Sequence, residues 1–161
     1  MKRSVLWRVA GAVLACLAAN VQAHKPDVTP ARAASGPISA ASFCEVMTRR
    51  LPNVSRAVCA RAQLQGMPVR SVTGNQLVER DVISPHARLR VLVVGGIHGD
   101  ELSSTALVLH WIGAAMETPS NIHWRFVPLM NPDGMLQGRP SRTNARGVDL
   151  NRNFPTPNWD K

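Results

Sequence analysis

The stretch "RVLVVGGIHGDELSS", Arg90 to Ser104, ends an apolar run on Gly95 and Gly96 and then places an imidazole, His98, just ahead of a carboxylate, Glu101. Glycines at such a point permit a tight turn and close backbone approach, so both side chains can leave the end of one strand and converge. Nitrogen and oxygen donors of this kind suit zinc, and a hydrolytic zinc site uses about three protein ligands while keeping one position for water. A plainer arrangement fits the same spacing. A glutamate in a first helical turn is a partner for the helix dipole, and a lone histidine can be ordinary surface or core.

Such a pair needs a strand before it and a helix after it. "RLRVLVVGG" has the unbroken apolar texture of a strand covered on both faces. "DELSSTALVLHWIGAAM" predicts a helix, because Leu102, Ala106, Leu109 and Ile112 recur near helical period and Asp100 and Glu101 sit at its positive end. "IHWRFVPLM" reads as a second buried strand. Strand, helix and strand in this order predict a parallel βαβ unit and an α/β fold, with a mixed, largely parallel sheet flanked by helices.

Upstream, "MPVRSV" and "NQLVERDVI" read as two strands joined at Gly74 and Asn75. "FCEVMTRRLP" and "VSRAVCARAQL" have helical spacing broken by Pro52 and Asn53, which predicts a helical hairpin over 43–66. The Ala-, Pro- and Ser-rich stretch 24–42 reads as a linker or loose arm, and 67–161 as the α/β unit. From Asn131 onward the chain turns polar, rich in Gly, Pro, Asn and Arg. A long loop after the C-terminal end of a strand lies where open α/β sheets place their ligands.

Residues 1–23 form a separate segment. Lys2, Arg3 and Arg8 precede an apolar stretch, Val9 to Ala19, that leads to "VQA" before His24. That order describes a secretory signal peptide, and the stretch is shorter than the roughly 20 apolar residues of a membrane span. The expected product is exported, periplasmic or extracellular, with lipid attachment at Cys16 in "VLAC" as the weaker alternative. The segment carries three of the 19 basic residues and none of the 10 acidic ones, which leaves an excess of six positive charges after its removal. Such an excess favours anionic partners. The basic residues are scattered, without a Lys/Arg block or interleaved aromatics, which argues against nucleic acid. Cys44 and Cys59 remain, as a possible disulfide or as two free thiols.

"GGIHGDE", "NPDG" and "RTNARGVDLNRNFP", in this order, resemble the M14 family of zinc carboxypeptidases. The "HGDE" form and the "NFPTPNW" ending look most similar to its bacterial murein peptide amidase branch, related to γ-D-glutamyl-diaminopimelate peptidases. The resemblance implies one zinc ion held by His98 and Glu101, with Asp149 orienting the histidine. It implies that Arg142 polarises the scissile carbonyl and that Asn151 and Arg152 grip a substrate carboxylate. Taken singly, Asp149 could cap a turn and Arg152 could be a solvated loop charge. Arg139 reads as surface, Asp100 as helix capping, and His86, His110 and His123 match no motif.

The implied activity is hydrolysis of a peptide amide next to a carboxylate, with a peptide or murein stem peptide as substrate. The resemblance also implies a third ligand histidine and a catalytic glutamate from further downstream. Neither has a counterpart before Lys161, so the chain is expected to be an incomplete copy, inactive by itself. Two alternatives stand beside this reading: a deacylase of N-acyl amino acids, and a non-catalytic peptide- or cell-wall-binding protein. Oligomeric state is left open. The leader itself generates a first prediction: N-terminal sequencing of the exported protein should begin at His24, whereas a start at Met1 overturns export and a start at modified Cys16 favours the lipoprotein.

Overall fold

The computed structural model describes residues 36–156. The signal segment 1–23, Cys16 and the first part of the predicted arm lie outside the described residues. The rest of that arm is not loose. Helix α1, Ala40–Arg50, starts inside it with a capping box between Ser39 and Ser42. Ahead of it Ile38 is buried in the core, and its backbone bonds to Asn75 Oδ1 and the Gln76 amide. One apolar side chain with paired backbone groups is enough to dock a segment whose composition reads as linker.

Helix α2, Arg56–Arg61, is capped by Ser55 and turns back against α1. Phe43, Val46 and Met47 of α1 and Cys59 of α2 enter the core, the inward face that the spacing predicts. Cys44 and Cys59 are joined by a disulfide, with Cα atoms 5.6 Å apart. The chain enters strand β1, Gln65–Arg70, slightly before the boundary expected for the hairpin.

Strand β2, Gln76–Val82, pairs antiparallel with β1 through a turn where Gly74 takes φ of +88°. Strand β3, Leu89–Val94, helix α3, Leu102–Glu117, and strand β4, Ile122–Val127, form the expected parallel unit, with Val91 beside Trp124 and Val93 beside Phe126. The sheet order is β1-β2-β4-β3, a mixed sheet in which β2 and β4 are antiparallel. On one face Phe126 packs into the cluster with Leu109 and Ile112 of α3 and Phe43 and Met47 of α1. Alternation sends Arg125 to the other face, where its guanidinium donates two hydrogen bonds to the opposed Asp81 at 2.8 and 2.6 Å.

One expectation is corrected. The apolar β3 is not covered on both sides: Leu89 and Leu92 are 54% and 63% exposed. Among the described residues β3 has a single strand neighbour, and an apolar run reports burial without reporting which neighbour supplies it. Among the described residues no helix is long and apolar enough to cross a membrane.

The disulfide closes a loop of 15 residues, for which the chain-entropy estimate is about 3 kcal/mol. Replacing both Cys44 and Cys59 with serine should lower unfolding stability by roughly that amount in urea titrations, and an unchanged midpoint would show that the bridge constrains nothing in the unfolded chain.

Candidate active site

The site begins where the parallel ladder runs past its strands. Gly95 donates to Val127 O, Met130 to Gly95 O and Asn131 to Gly96 O, so the "GGIHG" and "PLMNP" segments leave the sheet side by side. A side chain on Gly95 would strike Pro128 O, and Gly96 has φ of +55°, so both positions need glycine. Ser104 of α3 closes the turn from the other side: its Oγ accepts from Gly96 N and donates to Glu101 O.

This brings His98 and Glu101 together. His98 Nδ1 lies 2.9 Å from Glu101 Oε1, with the imidazole buried and the carboxylate half exposed. The other ring nitrogen, Nε2, lies 3.1 Å from Asp149 Oδ1. A proton on Nε2 satisfies Asp149 and leaves a bare lone pair on Nδ1 aimed at a carboxylate oxygen. Two acceptors that close need a cation between them, either a second ring proton or a metal. Zinc takes this donor pair, and a ligating histidine ordinarily donates its other N–H to a carboxylate or carbonyl. Glu101 also ends the non-helical turn ahead of α3 without making a side-chain cap bond, so helix capping does not occupy it. Asp100 is exposed and is likewise no cap to the helix.

Asp149 arrives from a distant part of the sequence through a tight loop. Asn144 Oδ1 accepts from the Arg146 and Val148 amides, Asn144 N donates to Val148 O, and Gly147 takes φ of +75°. The chain therefore reverses between Arg142 and Asp149, and Arg142 Nε donates to Asp149 Oδ2 at 3.0 Å. Arg142 Nη1 stands 3.9 Å from Glu101 Oε1. Asp149 also caps the 3-10 turn Leu150–Arg152 by accepting from Asn151 N. Partial burial would push its carboxyl up, but the hydrogen bonds from Arg142, the Asn151 amide and His98, with the Arg142 charge, hold it below the usual carboxylate range. Turn capping and histidine support are thus the work of one carboxylate.

Asn151 and Arg152 lie on that 3-10 turn with their side chains exposed, and Arg152 Nη1 bonds only to Asn151 O among the described residues. They flank the cluster without contacting His98 or Glu101. Arg139, His86, His110 and His123 stand outside it; His110 bonds to Asn53 O, and His123 faces Asp81. Among the described residues, no group of three or more His, Cys, Asp or Glu side chains is placed to hold a metal.

Sequence reasoning missed two residues that build the site. The segment after Asn131 holds a one-turn helix α4, Pro132–Met135, capped by Asn131, whose Oδ1 accepts from Gly134 N and whose Nδ2 donates to Arg142 O. Asp133 is buried beneath it, where its carboxylate accepts from the Ser71 hydroxyl, from Thr73 Oγ1 at 2.5 Å, from Thr73 N and from Asn75 Nδ2. The signal that could have found Asn131 and its helix is "NPDG" itself, since an Asn cap followed by Pro at the first helical position starts a helix.

Comparison with known proteins gives the family of the chain. The zinc carboxypeptidase family, Peptidase_M14, matches residues 42–161. Murein peptide amidase A of Escherichia coli K12 is 46% identical over 70 residues, covering 42% of this chain and 26% of that protein. Carboxypeptidase SOL1 of Arabidopsis thaliana is 38% identical over 72 residues, covering 38% of this chain and 14% of that protein. Bovine thrombin-activatable fibrinolysis inhibitor, solved in complex with tick carboxypeptidase inhibitor, superposes with a TM-score of 0.50 at 25% identity, covering 74% of this chain and 42% of that one. The matched segment thus spans about a quarter of the length of the murein peptide amidase.

The Asp133 cluster sets a pH dependence. Burial raises its carboxyl pKa, but the hydrogen bonds from Ser71, Thr73 and Asn75 outweigh burial and lower it from the usual value. A lowered folded pKa contributes stability above the unfolded value near 4, and that contribution is lost as pH falls through the folded value. The gap in urea midpoint between wild type and Asp133→Asn should therefore be widest at neutral pH and narrow on acidification below about pH 4. A gap constant from neutral to acid would mean that the charge of Asp133 is not what the cluster holds.

Proposed function

Since the chain belongs to the zinc carboxypeptidase family, Peptidase_M14, we propose that it serves as a zinc-dependent peptidase or amidase cutting an amide bond beside a carboxylate. The observation that carries this is the His98 imidazole, held through Nε2 by Asp149 and presenting Nδ1 to Glu101. His98 and Glu101 would hold the ion. When bound there, zinc supplies a water of lowered pKa and a Lewis acid for the scissile carbonyl.

The remaining work falls to this chain's own side chains. Asp149 fixes the tautomer and direction of the His98 ring. Arg142, half exposed and held at Nε by Asp149, with Nη1 3.9 Å from Glu101 Oε1, would turn its outer nitrogens to the negative charge that grows on the carbonyl oxygen. Arg152 and Asn151 stand exposed beside it, and a guanidinium there can take a substrate carboxylate in a planar two-point contact.

A murein stem peptide is the substrate class we favour, on the likeness to murein peptide amidase A and the peptide's wealth of carboxylates. Export fits that substrate: the leader would carry the chain to an oxidising compartment, where the Cys44–Cys59 bridge persists.

The test uses the protein as its gene encodes it, offered a murein tripeptide and an N-acyl amino acid, with zinc added and with zinc chelated. Zinc-dependent cleavage of the murein peptide supports the proposal. Preference for the acyl amino acid turns it into a deacylase, and binding without turnover makes it a carrier. Arg152→Ala should cost about 1.5–3 kcal/mol in kcat/KM on a free-carboxylate substrate and little on its amide. Equal losses on both would remove Arg152 from substrate recognition.

A further inference from the structure

Helix α4 has a second attachment, and it comes from α1. Arg50, in the last turn of α1, donates from Nη1 to Met135 O at 2.6 Å and from Nη2 to Leu136 O at 2.9 Å. Both nitrogens also reach Gln137 O at 3.2 Å. These are the carbonyls that a helix leaves without partners at its C-terminal end, where a cation is also favoured by the helix dipole. A surface arginine needs no such partners. This one is partly buried, and that burial lowers the guanidinium pKa from its usual value.

What α4 holds explains why the attachment matters. Gly99, the residue after His98, lies so close to α4 that a methyl group added to it would overlap the backbone of Gly134 and Met135. A side chain on Gly134 would in turn strike Ser141 O and Thr143 O, and Gly134 O accepts from Ser141 N. The His98 turn and the Arg142 segment therefore both rest on one turn of helix. Asp133 ties that turn to Ser71, Thr73 and Asn75 of the β1–β2 connection, and Arg50 is its tie to α1. Helix α1 is itself held by the core contacts of Phe43, Val46 and Met47 and by the disulfide.

We propose that Arg50 is a positioning residue for the His98–Glu101 pair, acting through the C-terminal end of α4. The path is short and made of backbone contacts: guanidinium, the carbonyls of Met135 to Gln137, the Gly134–Met135 peptide, Gly99, and then His98. Freed at that end, α4 can tilt about its Asp133 anchor, and the backbone against which Gly99 is stacked moves with it. The inference rests on reading His98 and Glu101 as metal ligands, and its test separates the two ideas.

Wild type is compared with Arg50→Met, which keeps the apolar stem and loses every donor, with Arg50→Lys, which keeps the charge, and with Val46→Ala, a core change on the same helix that leaves every Arg50 hydrogen bond in place. Zn²⁺ alone is titrated at a temperature where all are folded, and the His98 ring nitrogens and the Gly99 and Gly134 amides are followed by NMR. Arg50→Met should shift those signals and weaken Zn²⁺ binding about tenfold, the lower end of what loss of a ligand's supporting partner costs, with part restored in Arg50→Lys. Val46→Ala should lower the unfolding midpoint and leave zinc affinity within about twofold, since it removes packing and keeps the Arg50 hydrogen bonds to α4. Equal weakening in Arg50→Met and Val46→Ala, or wild-type signals and affinity in Arg50→Met, overturns the inference. If Arg50→Met does not fold, Arg50→Lys against Val46→Ala decides by the same criteria. If wild type takes up no Zn²⁺ at His98, the metal reading fails, and the His98 and Gly99 signals still decide the role of Arg50.

Discussion

Asp149 has two oxygens and three donors to serve. Oδ1 takes His98 Nε2 and the Asn151 amide, and Oδ2 takes Arg142 Nε. The allocation sets what each partner can do next. With Nε2 as donor, the imidazole has only Nδ1 left for Glu101, as a bare acceptor. With Nε committed, Arg142 can point only its terminal nitrogens away from the carboxylate. A neutral amide at 149 would lose one acceptor site and bring a competing N–H against the guanidinium. One charge thus decides both how the His98 ring is held and the direction of the nearest cation.

The same site depends on close backbone approach, which is a different kind of constraint. Gly95, Gly96 and Gly99 lie against Pro128, Leu129 and the Gly134–Met135 peptide, where a side chain has no room. Backbone groups at that distance can bond directly, as Asn131 N does to Gly96 O, and they leave no slack for rotation. The histidine turn and the "NPDG" turn are therefore one rigid piece. The close contact explains why polar ties placed well away from His98 can govern its direction.

The parts of this arrangement legible in the sequence are those with a local signature. Buried apolar runs on either side of a helical period predict β3, α3 and β4 and their parallel pairing, and the glycines before His98 predict a turn. That Asp149 and Arg142 converge on His98 is legible only by resemblance, because His98 and Asp149 pair across 51 residues and leave no periodic trace. Asp133 was invisible for the same reason, its hydroxyl partners lying 60 and 62 residues upstream. Helix α4 is a single turn, too short for any hydrophobic period to register. The exposure of β3 and the docking of Ile38 depend on which neighbours arrive. An apolar pattern does not encode that choice.

Stability and direction come from different residues here. The cluster of Phe43, Met47, Leu109, Ile112 and Phe126 excludes water and supplies non-directional stabilisation. It would tolerate small shifts of α1 or α3 at little cost. The polar ties do the opposite. Each involves a charged group and is worth about 1.5–3 kcal/mol net, and leaving a partner buried and unpaired costs about 1–3 kcal/mol or more. Arg50 and Asp133 therefore add direction as well as stability: α4 sits in a narrow well between two directional anchors. A cluster of converging side chains needs that narrowness more than it needs depth, because a side chain displaced by a fraction of an ångström loses its partner while the fold barely changes. On this view the disulfide-closed hairpin is part of the site's support, since it carries Arg50 to the place where α4 ends.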